Sequence, residues 1–228
     1  MICAGSVLAQ EADPDALYRQ RADIARAKEA ASIWETRLAS NPRDFESAWK
    51  IARVTYWLGE HDAPEARRKW LERGVAAGKT AASLEPKRPE GHFWMAANMG
   101  ALAESFGLRQ GLKYRGDIRD ELLTVLKLDA GFQEGSADRA LGRWYFRVPG
   151  LLGGSKKKSE EHLRRSLAYD PTHTLSLLFL AETLIALDRE AEARQTLQKL
   201  LDAPIDPQWV PEDRENKEKA RQLLAKTR

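Results

Sequence analysis

Cysteine is nearly absent: Cys3 is the only one in 228 residues. No disulfide framework and no cysteine-based metal site can be built within one chain. Histidine is almost as scarce. His61, His92, His162 and His173 never stand four apart, and no H-E-x-x-H occurs, so a helical metal site has no ligand pair. No stretch stays apolar for the ~20 residues that span a bilayer. Neither sign of charge dominates: 37 Lys and Arg face 34 Asp and Glu, a net charge of +3. The two signs are interspersed as on solvated helix faces, which argues against a nucleic-acid partner. Sustained period-two alternation is missing too, so nothing demands a strand. No nucleophile elbow or paired-carboxylate signature stands out, and a non-catalytic protein without cofactor or metal is expected.

What is present is a composition that can bury a core, 43% apolar and 31% charged. Residues 1–9, MICAGSVLA, are small or apolar and end in Val7-Leu8-Ala9, which suits a signal-peptidase site of the A-x-A type. The polar QEADPD follows at once. The segment reads as the tail of a secretory signal, and an exported, periplasmic protein is expected. A lipid anchor on Cys3 is not supported, because Ile2 stands where a lipobox wants Gly or Ala.

One phrase recurs along the chain. RLASNP ends at Pro42, AASLEP at Pro86, VLKLDA at Ala130, SLAYDP at Pro171 and a weaker KLLDAP at Pro204, at spacings of 44, 44, 41 and 33 residues. Each reads as the last turn of a helix and its stop, since proline cannot continue the hydrogen-bond ladder. A period of this length indicates a solenoid. Between stops the pattern is helical: Leu177, Leu180, Ala181, Leu184 and Leu187 form one apolar face. With Ala193, Leu197 and Pro204 they reproduce the tetratricopeptide (TPR) signature with hydrophobic substitutes, and Leu141-Gly142-x2-Tyr145 matches its L-G-x2-Y core literally. The fold expected is all-α, a TPR-like α-solenoid of antiparallel helix pairs. About ten helices are expected, over 14–40, 44–59, 64–84, 89–105, 113–128, 134–147, 156–169, 173–187, 190–202 and 212–226. Residues 10–228 form one repeat domain in this reading, with the polar helix 212–226 as its cap.

Residues 141–159, LGRWYFRVPGLLGGSKKKS, depart from ordinary TPR sequence. The connector holding Pro149, Gly150, Gly153, Gly154 and Ser155 is longer than a TPR turn. It fails as a phosphate loop, because Ser155 and Lys157 break the G-K-[ST] pattern and helix, not strand, precedes it. The local reading is a tight connector whose leucines tuck under neighbouring helices, with Ser155 as the N-cap of the next. This motif, with the repeat spacing and the N-terminus, resembles the T-component (TatT) family of TRAP transporters over about residues 40–205. That resemblance implies an accessory component of an uptake system. Its partners would be the TRAP periplasmic substrate-binding protein and a small organic-acid or hydrophobic ligand, and the assembly a homo-trimer. The alternative is a generic TPR scaffold for protein partners.

TPR ligands lie in the concave groove lined by the first helix of each repeat. Setting Leu141-Gly142 in the TPR register puts Arg139, Arg143, Phe146 and Arg147 on that face, the arginines at i, i+4 and i+8. The preceding units contribute Trp49, Arg53, Tyr56, Phe93 and Trp94. Aromatic walls and guanidinium forks suit an amphipathic carboxylate. The competing reading is equally physical: arginines paired with acids of neighbouring helices, and aromatics serving as core between repeats.

Overall fold

The structure is a computed structural model that describes residues 12–227. The segment 1–9, with Cys3 and the expected cleavage site, lies outside the described residues. Among the described residues there are eleven α-helices, one 3-10 turn and no strand. The helices are α1 (Pro14–Arg19), α2 (Ile24–Ser40), α3 (Phe45–His61), α4 (Arg67–Leu84), α5 (Pro89–Ser105), α6 (Leu108–Leu128), α7 (Phe132–Arg147), α8 (Lys156–Tyr169), α9 (Thr174–Ile185), α10 (Glu190–Asp202) and α11 (Val210–Lys226). They pair in order, and the odd-numbered helices from α3 to α11 also pack side by side, while the even-numbered ones stand apart. The odd helices therefore form the inner, concave wall of a curved array.

The recurring phrase produces a recurring geometry. Asn41, Glu85, Asp129 and Asp170 each leave their helix with φ between −157° and −133° and ψ between 74° and 103°. Each carbonyl then accepts a hydrogen bond from the backbone N–H three residues on, at 2.9 to 3.3 Å. Helix starts are capped by side chains: Asp44 accepts from Ser47 N at 3.0 Å, Asp23 from Ala25 N at 2.9 Å, and Ser155 from Lys158 N at 3.3 Å. Proline opens α5 and lies in the first turn of α1 and α11, where no N–H is needed.

Four features differ from the sequence expectation. The helix expected over 14–40 is broken at residues 20–23, where Asp23 caps a fresh start and the Arg21 carbonyl accepts from Trp57 Nε1 at 2.7 Å. The helix expected from 113 begins at Leu108, because Gly107 at φ 78° makes a two-residue turn sufficient. The first turn of α7 is left-handed, with φ of 43°, 57° and 73° at Gln133, Glu134 and Gly135. The leucines of the 148–155 connector do not tuck under: Leu151 is fully exposed and Leu152 half-buried.

The core divides along the chain. One cluster runs from Leu17 on α1 to Trp144 on α7. Two smaller ones, centred on Leu163, Leu180 and Leu184 and on Leu177, Leu197 and Leu200, serve α8 to α11. Close approach across the α7–α8 seam depends on Gly142, where a Cβ would come 2.5 Å from Leu163 Cγ.

The array curves until its ends meet. Arg21, between α1 and α2, holds Glu212 on α11 through two hydrogen bonds of 2.9 and 2.5 Å and the Gln208 carbonyl at 2.8 Å. Its guanidinium lies 5.0, 5.3 and 5.6 Å from the rings of Tyr18, Trp57 and Trp209. His61 on α3 adds a 2.9 Å contact to Glu215. Helix α11 thus caps the last pair and also faces the first two across the groove.

Candidate functional site

The arginines of α7 follow from its register. Arg143 points along the concave wall and grips both neighbours. Its Nε and Nη2 donate to the two oxygens of Glu104 on α5, each at 3.0 Å, and its Nη1 donates to Glu182 on α9 at 2.5 Å. It also lies over the Phe179 ring at 4.6 Å. Burial works to lower its pKa, but the pairing with Glu104 and Glu182 outweighs burial and leaves it raised. Arg147 reaches the same Glu104 at 3.3 Å from a more exposed position. Both are paired inside the protein.

Arg139 is different. It is only 8% exposed, and no carboxylate lies within ion-pair distance of it among the described residues. Its Nη1 has no hydrogen-bond partner, and its Nη2 reaches only the Gln133 carbonyl at 3.5 Å. Burial pushes its pKa down to about 10, against the attraction of Glu134, Tyr56 and Asp170. An unpaired buried charge is expensive unless something compensates it. The compensation visible here is a carbonyl presented by strained backbone, since Gln133 and Glu134 each cost about 1–2 kcal/mol in the left-handed region. The same charge, after burial itself, helps push the His173 imidazole down to about 2 and hold it neutral.

The aromatics divide in two. Tyr56, Phe93 and Trp94 meet in the seam of α3, α5 and α7: Tyr56 packs on Trp94 with centroids 5.8 Å apart, and Phe93 sits edge-on to Trp94 at 5.1 Å and to Phe132 at 5.7 Å. Phe93 and Trp94 are buried and belong to the core between repeats. Burial raises the Tyr56 hydroxyl well above its ordinary pKa. Trp49 and Arg53 lie at the N-terminal end of the wall, under α1. Arg53 stacks on Tyr18 at 4.0 Å and Trp49 at 4.8 Å, and reaches Asp15 at 3.3 Å. Trp49 Nε1 donates to Glu46 at 3.0 Å. That end of the groove is filled by the chain's own first helix.

Among the described residues, cavities open along the groove. One, about 310 Å³, is bordered by Arg143, Phe146, Arg147, Ile185 and Leu223. Another, about 370 Å³, is bordered by Glu134, Asp170, His173, Asp206 and Trp209. Glu134 has its pKa raised, by burial and then by the neighbouring charges of Asp170 and Asp206. Among the described residues no cluster could hold a metal ion, and no helix is long and apolar enough to cross a membrane. The structure thus brings Arg139, Arg143, Phe146 and Arg147 together and separates them from Trp49 and Arg53. The connector residues lie at one edge: Gly153 takes φ 102°, Gly154 N–H donates to Pro149 O at 3.1 Å, and Ser155 N–H donates to Tyr145 O at 2.9 Å. Gly150 opens a 3-10 turn after Pro149.

Sequence reasoning missed Glu104 and Glu182. Each lies 39 residues from Arg143, one before and one after. A carboxylate at nearly one repeat on either side of an inward arginine is the signal that finds them. It also missed the buried Asp138, which accepts from His162 Nδ1 at 2.6 Å and Arg165 Nε at 3.1 Å between α7 and α8.

A family model described as regulator of microtubule dynamics protein 1-3 matches residues 12–160, well over half the chain. The chain belongs to this family. A tetratricopeptide-repeat model matches residues 157–209. The two matches meet at the start of α8, where the core also changes cluster. The 141–159 motif lies wholly inside the first match, and none of these matches is to a TRAP component. A thermophilic TPR protein of Thermus thermophilus superimposes with a TM-score of 0.68 at 23% identity, over 93% of this chain and 97% of that one. Two structures of MamA give TM-scores of 0.54 and 0.52, each at 14% identity, over 88% and 90% of this chain and 95% and 91% of theirs. These likenesses show the fold, a TPR-like α-solenoid. The search of curated proteins found no match.

Proposed function

We propose that the protein is a non-catalytic scaffold whose concave groove holds a polypeptide partner. The observation that carries the reading is the groove itself. Stacked helix pairs present α7 and α9 on the inner face beside two open cavities, and the buried Arg139 of α7 has no acidic partner. The members that give the family its description regulate microtubule dynamics. For this chain the family description supports a polypeptide partner and nothing more specific.

The transport reading rests on the 141–159 motif with the repeat spacing and the N-terminal segment, and the pairing of Arg143 and Arg147 with Glu104 removes two of the three cations it would use for an organic acid. Export rests likewise on residues 1–9. Native mass spectrometry of the protein isolated from its own host separates the two functions. A co-purifying polypeptide supports the scaffold. A stoichiometric small acid without one would overturn it and return the transport reading. N-terminal sequencing of the same sample tests export: a mature start near Gln10 or Glu11 supports it, and retention of Met1 refutes it.

A further inference from the structure

The edge of the array opposite the recurring stops carries an unusual surface. Two segments meet there, 106–116 at the start of α6 and 147–158 from the end of α7 into α8. Trp144 joins them: its Nε1 donates to the Arg115 carbonyl at 3.0 Å, and its ring lies against Gly153. Neither segment contains an acidic residue, while together they hold Arg109, Lys113, Arg115, Arg147, Lys156, Lys157 and Lys158. Of these, only Arg147 has an ion pair among the described residues. The crowding is felt at Lys156, whose pKa is lowered, first by burial and then by Arg147 and Arg143.

Between Arg147 and Lys156 the connector carries Leu151, fully exposed at its tip, and Leu112 in the α6 segment is half exposed. The tip is not slack. Leu152 N–H donates to Pro149 O at 2.9 Å, Gly153 N–H to Gly150 O at 3.0 Å, and Ser155 N–H anchors the return to Tyr145 O at 2.9 Å. An ordered turn thus holds a large apolar side chain out in water, where exposing it is unfavourable.

We infer that this edge docks on an anionic lipid surface, with Leu151 entering the headgroup boundary and the surrounding Lys and Arg side chains lying at the phosphate plane. Lys156 turns its ammonium onto the Phe146 carbonyl and ring, while Lys157 and Lys158 have no carboxylate partner among the described residues; a convex leucine beside such cations suits a surface that deforms around it. A folded protein would need a matching pocket for the leucine and carboxylates placed for each cation. Membrane surfaces supply both without shape matching, through apolar insertion and a negative surface potential. Arg147 is shared with the border of the groove, but Leu151, Lys157 and Lys158 border neither cavity, so the variants below leave the groove assigned to a polypeptide untouched.

Co-sedimentation of the full chain with vesicles tests the inference. Phosphatidylcholine vesicles carrying phosphatidylserine should bind the protein, and added salt should weaken the binding; phosphatidylcholine alone should not bind it. Leu151→Asp and the pair Lys157→Glu with Lys158→Glu should each lower the association constant about tenfold. Circular dichroism should not change, because these side chains are exposed. Equal sedimentation of wild type and variants, or none with anionic vesicles, would overturn the proposal. So would capture of polyglutamate, in the absence of vesicle binding, by wild type and Leu151→Asp but not by the lysine variant, which would assign the edge to an acidic polypeptide.

Discussion

Arg143 and Arg139 stand one helical turn apart, and their environments give them opposite roles. Arg143 staples α5, α7 and α9 through Glu104 and Glu182. Its replacement by alanine strips Glu182 of its cation, leaves Glu104 with Arg147 alone, and should cost about 1.5–3 kcal/mol, read as a lower urea midpoint. Lysine should restore only part of it, since ammonium cannot form the fork. Arg139→Met should leave the free protein as stable or more stable, because it removes a buried charge without a carboxylate. A clear loss of stability in that variant would mean that the Gln133 carbonyl alone satisfies the guanidinium. His173 adds a pH dependence. Its folded pKa of about 2 is below the ordinary 6.5, so the unfolded chain takes up a proton that the folded chain refuses. Stability is then fully present above about 6.5 and falls as pH drops below it, by up to about 1.4 kcal/mol per pH unit. His173→Asn keeps an N-cap for Ser176 and should flatten that slope in denaturation measured at pH 7 and pH 5. An unchanged slope would show that the imidazole is protonated in the fold. None of this difference was legible in the sequence, where three arginines at i, i+4 and i+8 look alike. What separates them is which acids the neighbouring repeats supply.

At the scale of elements the sequence was far more transparent. Stops at Asn41, Glu85 and Asp170 were readable because proline follows each, and the structure gives them one geometry. The break at residues 20–23 was not readable. Its reward is remote, the contact of Arg21 with Glu212. The left-handed start of α7 was equally hidden, since Gly135 is required by the approach of Tyr169 and Ser166, to which a Cβ would come within 2.8 and 3.0 Å. In the connector, Gly154 allows no side chain at all, for a Cβ would lie 1.7 Å from the Val148 carbonyl oxygen. Gly154→Ala should therefore cost at least about 2 kcal/mol. Gly150 faces open space with no positive φ, so Gly150→Ala should be neutral or slightly stabilising. Equal melting temperatures for the two variants would mean that the connector is not held as described.

For the whole molecule, closure of the array is the feature that local sequence could not announce. Arg21 is almost fully buried against α11, 191 residues away. Through the Gln208 carbonyl it also ties the part of the chain matched by the microtubule-regulator family to the last residues matched by the TPR model. Such a ring fixes the width of the groove between α3, α7, α9 and α11, which a scaffold needs if one partner is to be preferred. On the function proposed above, this inner face holds a polypeptide. A photo-crosslinking amino acid placed at Phe146, beside the cavity that Leu223 closes, tests it in the native host against the same probe at Arg119, exposed on α6 of the outer wall. A discrete polypeptide adduct is expected from Phe146 and none from Arg119. Adducts from Arg119 alone, or from neither position in a protein that carries a small acid, would contradict it.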